Sequence, residues 1–205
     1  MYCPPAFRED DPAVLRAAMR AHPLATLITT GANGISANVL PFVLVETPGG
    51  DTLRAHLAKA NGQLADLRQA TPALVVFHGP HAYVSPSWYP GKSVHGKVVP
   101  TWNYVMVQAR GIPSLIDDAE WLRTQVDALT DTQEGFRAEP WATIDAPGPF
   151  IRAQLDGIVG LEIPIDRLQG KWKLSQNRTC DDRVGVAHGL RDAGRDDMAD
   201  LIPGD

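Results

Sequence analysis

Between residues 24 and 57 the chain is cut twice by turn chemistry, and those two cuts constrain the fold more than any other feature. Gly31-Ala32-Asn33-Gly34 stands between two apolar, β-branched runs, 24–30 and 35–45. Asn-Gly supplies the positive φ that a tight hairpin needs. Thr47-Pro48-Gly49-Gly50-Asp51 then separates the second run from a third, 52–57. Connections this short pair strands antiparallel. Pro41 lies inside the second run and places it at a sheet edge or a bulge. Further strands are expected at 73–78, 82–84, 98–109 and 158–163, the last of these closing the sheet order. Helices do not alternate regularly with these strands, which disfavours a parallel α/β sheet.

The helical signals lie outside this strand series. Asp10-Asp11-Pro12 starts a helix whose Val14, Leu15, Ala18 and Met19 share one face, and His22-Pro23 ends it. A short amphipathic helix is expected over 63–69, carrying Leu64 and Leu67, and another over 120–129 from an acidic start. The tail from 181 to 201 reads as helix broken at Gly194, and 131–148, rich in Pro, Gly and Ala, as a long surface loop. The pattern predicts an α+β fold: a small β-barrel with peripheral helices, one domain over 1–205, and a helical tail at about 181–202.

Two tryptophan-bearing runs carry the first functional hint. His81-Ala82-Tyr83-Val84-Ser85-Pro86-Ser87-Trp88-Tyr89 and Lys97-Val98-Val99-Pro100-Thr101-Trp102-Asn103-Tyr104 are separated by a short spacer, so they are expected side by side. Each sets large rings beside small polar groups. Rings stack on a planar ligand, and amides and hydroxyls bond its edges. The alternative is a core hairpin with interface aromatics.

Several function classes are disfavoured. The formal net charge is −5 and no Lys/Arg block stands out, so the electrostatic footprint of a nucleic-acid binder is missing. No apolar run approaches the roughly 18 residues of a membrane span. Met1 to Arg8 shows no signal-peptide pattern. Cys3 and Cys180 form no CxxC pair, which fits a reducing cytoplasm. Gly91-Lys92-Ser93 imitates the end of a phosphate-binding P-loop, but Pro86 stands where that motif needs its first glycine. His78, His81 and His95 lack an acidic partner at a recognisable metal-ligand spacing.

At Arg54-Ala55-His56-Leu57-Ala58-Lys59-Ala60-Asn61 a strand is expected to end with a lysine and backbone amides at the entrance of a helix, a recipe for holding an anion. Taken with the two tryptophan runs and Lys173-Leu174-Ser175-Gln176-Asn177-Arg178, this segment makes the chain resemble the PaiB family of FMN-binding split-barrel proteins over nearly its whole length. The resemblance implies an FMN-binding split β-barrel and a homodimer with FMN in clefts between two barrels. It also implies a role as a negative transcriptional regulator. Ser36, Ala37, Asn38 and Val39 match the family's second-strand element, whose backbone pairs with the flavin's pyrimidine edge. His56, Lys59, Ala60 and Asn61 match the phosphate-holding element.

The chain departs from its relatives at two points. They often carry Arg at the position of Asn38, and several basic residues where this chain has Lys59 alone. The resemblance leaves the missing cation to a residue such as Arg178 from a partner chain. Trp102 and Asn103 are expected to reach the other subunit's flavin, and Gln176 and Arg178 either line the same cleft or form a polar loop. Two alternatives stay open: a flavin-dependent oxidoreductase of the pyridoxamine-phosphate-oxidase type, and a haem-binding split barrel with His56 or His95 as ligand. Direct DNA binding is not expected, because Arg183, Arg191 and Arg195 are interleaved with Asp192, Asp196 and Asp197.

Overall fold

Local chemistry sets where most elements begin. The computed structural model describes residues 1–204. After a short strand β1 (Arg8–Glu9), the Asp11 carboxylate accepts the Ala13 N–H at 2.8 Å and opens helix α1 (Pro12–Ala21). Strands β2 (Leu24–Gly31) and β3 (Gly34–Pro41) form the expected hairpin, with Gly31 facing Gly34 across a two-residue loop and Gly34 at φ +95°. Then come β4 (Val43–Thr47), β5 (Gly50–Ala58), a one-turn helix α2 (Leu64–Leu67) and the long strand β6 (Ala73–Val84). Helix α3 (Gly91–His95) precedes β7 (Thr101–Gly111) and β8 (Ser114–Ile116). Helix α4 (Ala119–Glu134) is capped by Asp118, whose side chain accepts from Trp121 N–H. Helix α5 (Gly148–Asp156), β9 (Ile158–Pro164) and β10 (Arg167–Lys173) lead to α6 (Cys180–Asp192), capped by Thr179, and α7 (Asp196–Ala199).

The described residues divide into two compact units. The first comprises residues 1–18, 78–107 and 169–204, and the second 19–77 and 108–168. In the first, strand neighbours run β1-β10-β7-β6, with Arg8 opposite Lys171 in the β1–β10 pair. Its core gathers Val84, Tyr89, Val105, Val186, Leu190 and Met198, with Trp88 and Trp172 packed against it. In the second, β6-β2-β3 form one stretch of sheet and β4-β5-β9-β8 another, all antiparallel where the register is defined. Leu27, Leu53, Leu57, Val75, Leu161 and Ile163 are fully buried there. Phe42 meets Phe77 edge-on at 6.0 Å.

Four expectations are corrected. The run 35–45 is two strands, not one. Pro41 ends β3 for want of an N–H, Phe42 turns its ring inward and donates its own N–H to Pro23 O at 2.9 Å, and the chain enters the other sheet. The runs 73–78 and 82–84 are one strand through Gly79 and Pro80. A Cβ on Gly79 would stand 2.9 Å from Val105, so this glycine marks close strand packing rather than a turn. The segment 131–148 is not one loop: α4 extends to Glu134, a 3₁₀ turn spans Thr143–Asp145, and α5 starts at Gly148. Finally, β9 is not the last strand, because β10 follows it.

Candidate functional site

The second unit holds both segments matched to a flavin cradle. Along β5 the side chains of Leu53, Ala55 and Leu57 are buried, and His56, on the alternate face, is half-buried. His56 Nδ1 is buried with no hydrogen-bond partner among the described residues, and burial lowers its pKa below the ordinary value, favouring the neutral ring. Beyond β5, Lys59 N–H donates to Gly157 O and Asn61 N–H to Ala58 O, both at 2.9 Å. Lys59 Nζ lies 2.9 Å from Asp117 Oδ1, with both side chains well exposed.

This corrects the expected helix entrance. Helix α2 has four residues and begins only at Leu64, and the amides of Lys59 and Asn61 already serve other backbone oxygens. What the loop offers an anion is the Lys59 ammonium, in competition with Asp117.

Behind the loop lies a polar network that sequence reasoning missed. Gln63 is 4% exposed. Its Nε2 donates to Leu27 O at 3.2 Å, Thr29 Oγ1 at 3.0 Å and Ser36 O at 3.4 Å. Its Oε1 accepts from Asn38 Nδ2 at 2.8 Å, and its backbone N–H donates to Asn61 Oδ1 at 2.9 Å. Thr29 Oγ1 donates in turn to Asp66 Oδ2 at 2.9 Å. A Cβ on Gly31 would fall 1.8 Å from Asp66 Oδ1, so only glycine fits beside that carboxylate. Gln63 thereby ties Ser36 and Asn38 of β3 to Asn61 of the loop. The one available signal was Asp66, a charge placed between the apolar Leu64 and Leu67 of a short helix and buried with them. Val39 is 59% exposed on edge strand β3, and Ala60 is exposed in the loop.

In the first unit the two tryptophan runs do lie side by side. Trp102 is 53% exposed and its ring stands 6.1 Å from His81 and 6.0 Å from Tyr83. Trp88 is half-buried against the core instead. A cavity of about 290 Å³ opens among His78, Gly79, His81, Tyr104, Val105 and Met106. Lys171, nearly buried, sits 5.3 Å from the Tyr104 ring centroid. Lys173 Nζ donates to Thr101 Oγ1 and to Trp102 O; burial first, then Lys171 and Arg178, lower its pKa.

Two residues expected to face a ligand, Asn103 and Gln176, make hydrogen bonds within the chain instead. Asn103 is fully buried and its Nδ2 donates to Ser175 Oγ at 2.9 Å. Ser175 lies in the left-handed region at φ +64°, and this bond braces it. Gln176 accepts from Leu174 N–H at 2.7 Å and donates to Trp172 O at 2.5 Å, which occupies both ends of its amide. The Arg178 guanidinium lies 4.8 Å from the Tyr89 ring centroid. His95 is exposed, its Nδ1 accepting from Lys97 N–H. Among the described residues no cluster of three His, Cys, Asp or Glu side chains is placed to hold a metal, and no helix is long and apolar enough to cross a membrane.

Residues 1–167 match the family model described as "Putative FMN-binding domain". An uncharacterized protein of Emericella nidulans is 35% identical over 96% of this chain and 92% of its own length. The protease synthase and sporulation protein PAI 2 of Bacillus subtilis is 29% identical over 93% of this chain and 89% of its own. Among solved structures, the FAD and heme binding protein from Mycobacterium smegmatis superposes with a TM-score of 0.62 at 22% identity, covering 89% of this chain and 80% of that one. That likeness concerns the fold, which is the α+β split-barrel class with sheets that do not close on themselves.

Proposed function

We propose that this chain, which belongs to the PaiB-type family of FMN-binding domains, is a homodimeric flavoprotein that binds FMN where two copies meet. One observation carries the reading. The second-strand and phosphate-loop segments, twenty-odd residues apart in sequence, converge on one buried residue, Gln63, whose side-chain oxygen accepts from Asn38 and whose backbone N–H donates to Asn61 Oδ1. The residues fit the cofactor. Half-exposed Asn38 and the edge of β3 suit the polar pyrimidine end, and the Lys59 ammonium suits the phosphate. Ala60 and Asn61 shape the loop, and His56 presents a neutral ring beside it along β5. Half-exposed Trp102 is read as stacking on the flavin of the other subunit, with Arg178 adding positive charge; Asn103 and Gln176 position the segments that carry them.

Bound FMN would supply hydride and electron transfer; the chain's own residues bind, orient and screen it from water. Regulation, in this reading, runs through flavin state or a sensed ligand rather than direct DNA contact. The arginines of the tail are engaged within the chain: Arg191 with Asp200 at 2.8 Å, Arg195 with Asp197 at 3.0 Å, and Arg183 with Pro203 O at 3.0 Å. Cys3 and Cys180 are not joined in a disulfide, which suits a reducing compartment such as the cytoplasm.

The test is titration of the wild type and Lys59→Ala with FMN and riboflavin, with sedimentation on the same samples. The variant is expected to lose about ten- to a hundred-fold in FMN affinity and little for riboflavin, which lacks the dianion. Equal loss for both places the phosphate elsewhere, and a stable monomer at micromolar concentration removes the dimer. A second reading, haem, rests on the unpartnered Nδ1 of His56. The visible spectrum separates the two, with flavin absorbing near about 450 nm and haem near about 400 nm.

A further inference from the structure

A chain of four side chains in the second unit has only one consistent direction of donation, and that direction reaches the surface at Asn38. We propose that the relay Asp66–Thr29–Gln63–Asn38 fixes Asn38 as a hydrogen-bond acceptor toward the ligand, so that the site selects a group that can only donate: the N3–H imide of an isoalloxazine ring. The inference rests on the flavin reading above and names the part of the flavin that Asn38 reads.

The direction follows from the buried end outward. The Asp66 carboxylate accepts only, so the single Thr29 hydroxyl proton points to Asp66 Oδ2. Thr29 Oγ1 is then left as an acceptor, and it takes an N–H from Gln63 Nε2 at 3.0 Å. Two backbone carbonyls enforce the same orientation independently, because Leu27 O and Ser36 O also face Nε2 and neither can donate. A flipped Gln63 amide would set its oxygen against three acceptors. Thr29, Gln63 and Asp66 are 4%, 4% and 7% exposed, so water cannot relieve such a clash. Gln63 Oε1 therefore faces Asn38, and the Asn38 NH₂ must turn inward to meet it at 2.8 Å. The Asn38 carbonyl oxygen, on half-exposed edge strand β3, is the end left for a ligand.

Fixed polarity discriminates only against groups that cannot reverse. A ribityl hydroxyl donates and accepts equally well and gains nothing from it. The pyrimidine edge of the flavin alternates acceptor, donor, acceptor (C4=O, N3–H, C2=O). An outward NH₂ would read the carbonyls; an outward oxygen reads N3–H. Sites built to bond one such group reject the analogue lacking it, because the protein's polar atom is left unpaired.

The experiment titrates the protein with FMN and with FMN methylated at N3, following flavin fluorescence. Wild type is expected to bind FMN at least about tenfold more tightly. Asn38→Leu should shrink that ratio below about threefold, with unchanged far-UV circular dichroism. Gln63→Met keeps Asn38 but releases its orientation, and should shrink the ratio likewise. Should Gln63→Met not fold, the wild type bound to ¹⁵N3-labelled FMN gives the second readout: an N3–H proton protected from exchange supports the relay, and one exchanging as in free FMN overturns it. Equal wild-type affinity for the two flavins, or full discrimination in either variant, overturns this inference and leaves the flavin reading standing. Failure of the wild type to bind FMN at all overturns both.

Discussion

The two units use polar side chains in opposite ways. In the second, Thr29, Gln63 and Asp66 are buried so that one partly exposed residue, Asn38, faces outward with a defined polarity. In the first, the amides of Asn103 and Gln176 are turned inward to hold a strained turn, and the exposed groups are rings: Trp102, Tyr83 and His81. One region offers directional hydrogen bonding, the other stacking and positive charge. Residue type alone does not distinguish them. In the proposed reading an asparagine on a strand is a ligand contact in one case and a brace in the other, and the surroundings of its side chain distinguish them.

The sharpest way to break the contrast is Asn103→Ala. If Asn103 is a brace, the change leaves the buried Ser175 hydroxyl unpaired at φ +64° and opens a small void. Stability should fall by about 2–3 kcal/mol, read as a lower urea midpoint at unchanged m. The preference for FMN over its N3-methyl analogue should stay at the wild-type value. A lost preference at unchanged stability would return Asn103 to the ligand side and erase the difference between the regions.

What the sequence made legible follows the same division. The hairpin at Gly31–Gly34, the Asp11 start of α1 and the break at Gly194 were readable because each depends on residues within one turn of chain. Strand β10 was not. Its buried positions include Gly170 and Lys171, and no local pattern announces that a lysine will lie against Tyr2 and Tyr104. Asn38 and Asn61 were singled out by family likeness, but Gln63, which joins them, was not. Its partners Asn38 and Thr29 lie 25 and 34 residues away, and single-sequence periodicity carries no term for such pairing. Lys59 was placed correctly at the end of a strand, yet its partner Asp117 comes from the far side of three further strands in sequence.

A smaller effect should appear with pH. Burial holds the His56 pKa below its ordinary 6.5, so the unfolded chain takes up this proton before the folded one does. The contribution is present in full above the unfolded pKa and is lost as pH falls through the folded pKa. His56→Gln cannot titrate. Its urea midpoints at about pH 7.5 and about pH 5.5 should lie closer together than those of the wild type. An identical acid sensitivity in the variant would place the responsible group elsewhere.

The smallest effect concerns the one ion pair at the proposed phosphate position. Lys59 Nζ and Asp117 Oδ1 are 2.9 Å apart, but the side chains are 44% and 71% exposed, so solvent and salt screen the attraction. Exposed pairs of this kind contribute about 0.2–1 kcal/mol. Asp117→Asn should therefore leave stability almost unchanged while freeing the Lys59 ammonium for an incoming dianion. FMN affinity is expected to rise by about two- to fivefold and riboflavin affinity to stay level. The gain should shrink as salt is raised toward about 0.5 M, because the phosphate contact it reports is itself screened. An unchanged FMN affinity would mean that Lys59 prefers Asp117 for reasons unrelated to the ligand. Directional recognition by Asn38 would then be the second unit's whole contribution, and in the proposed reading the cation would have to come from a second copy of the chain.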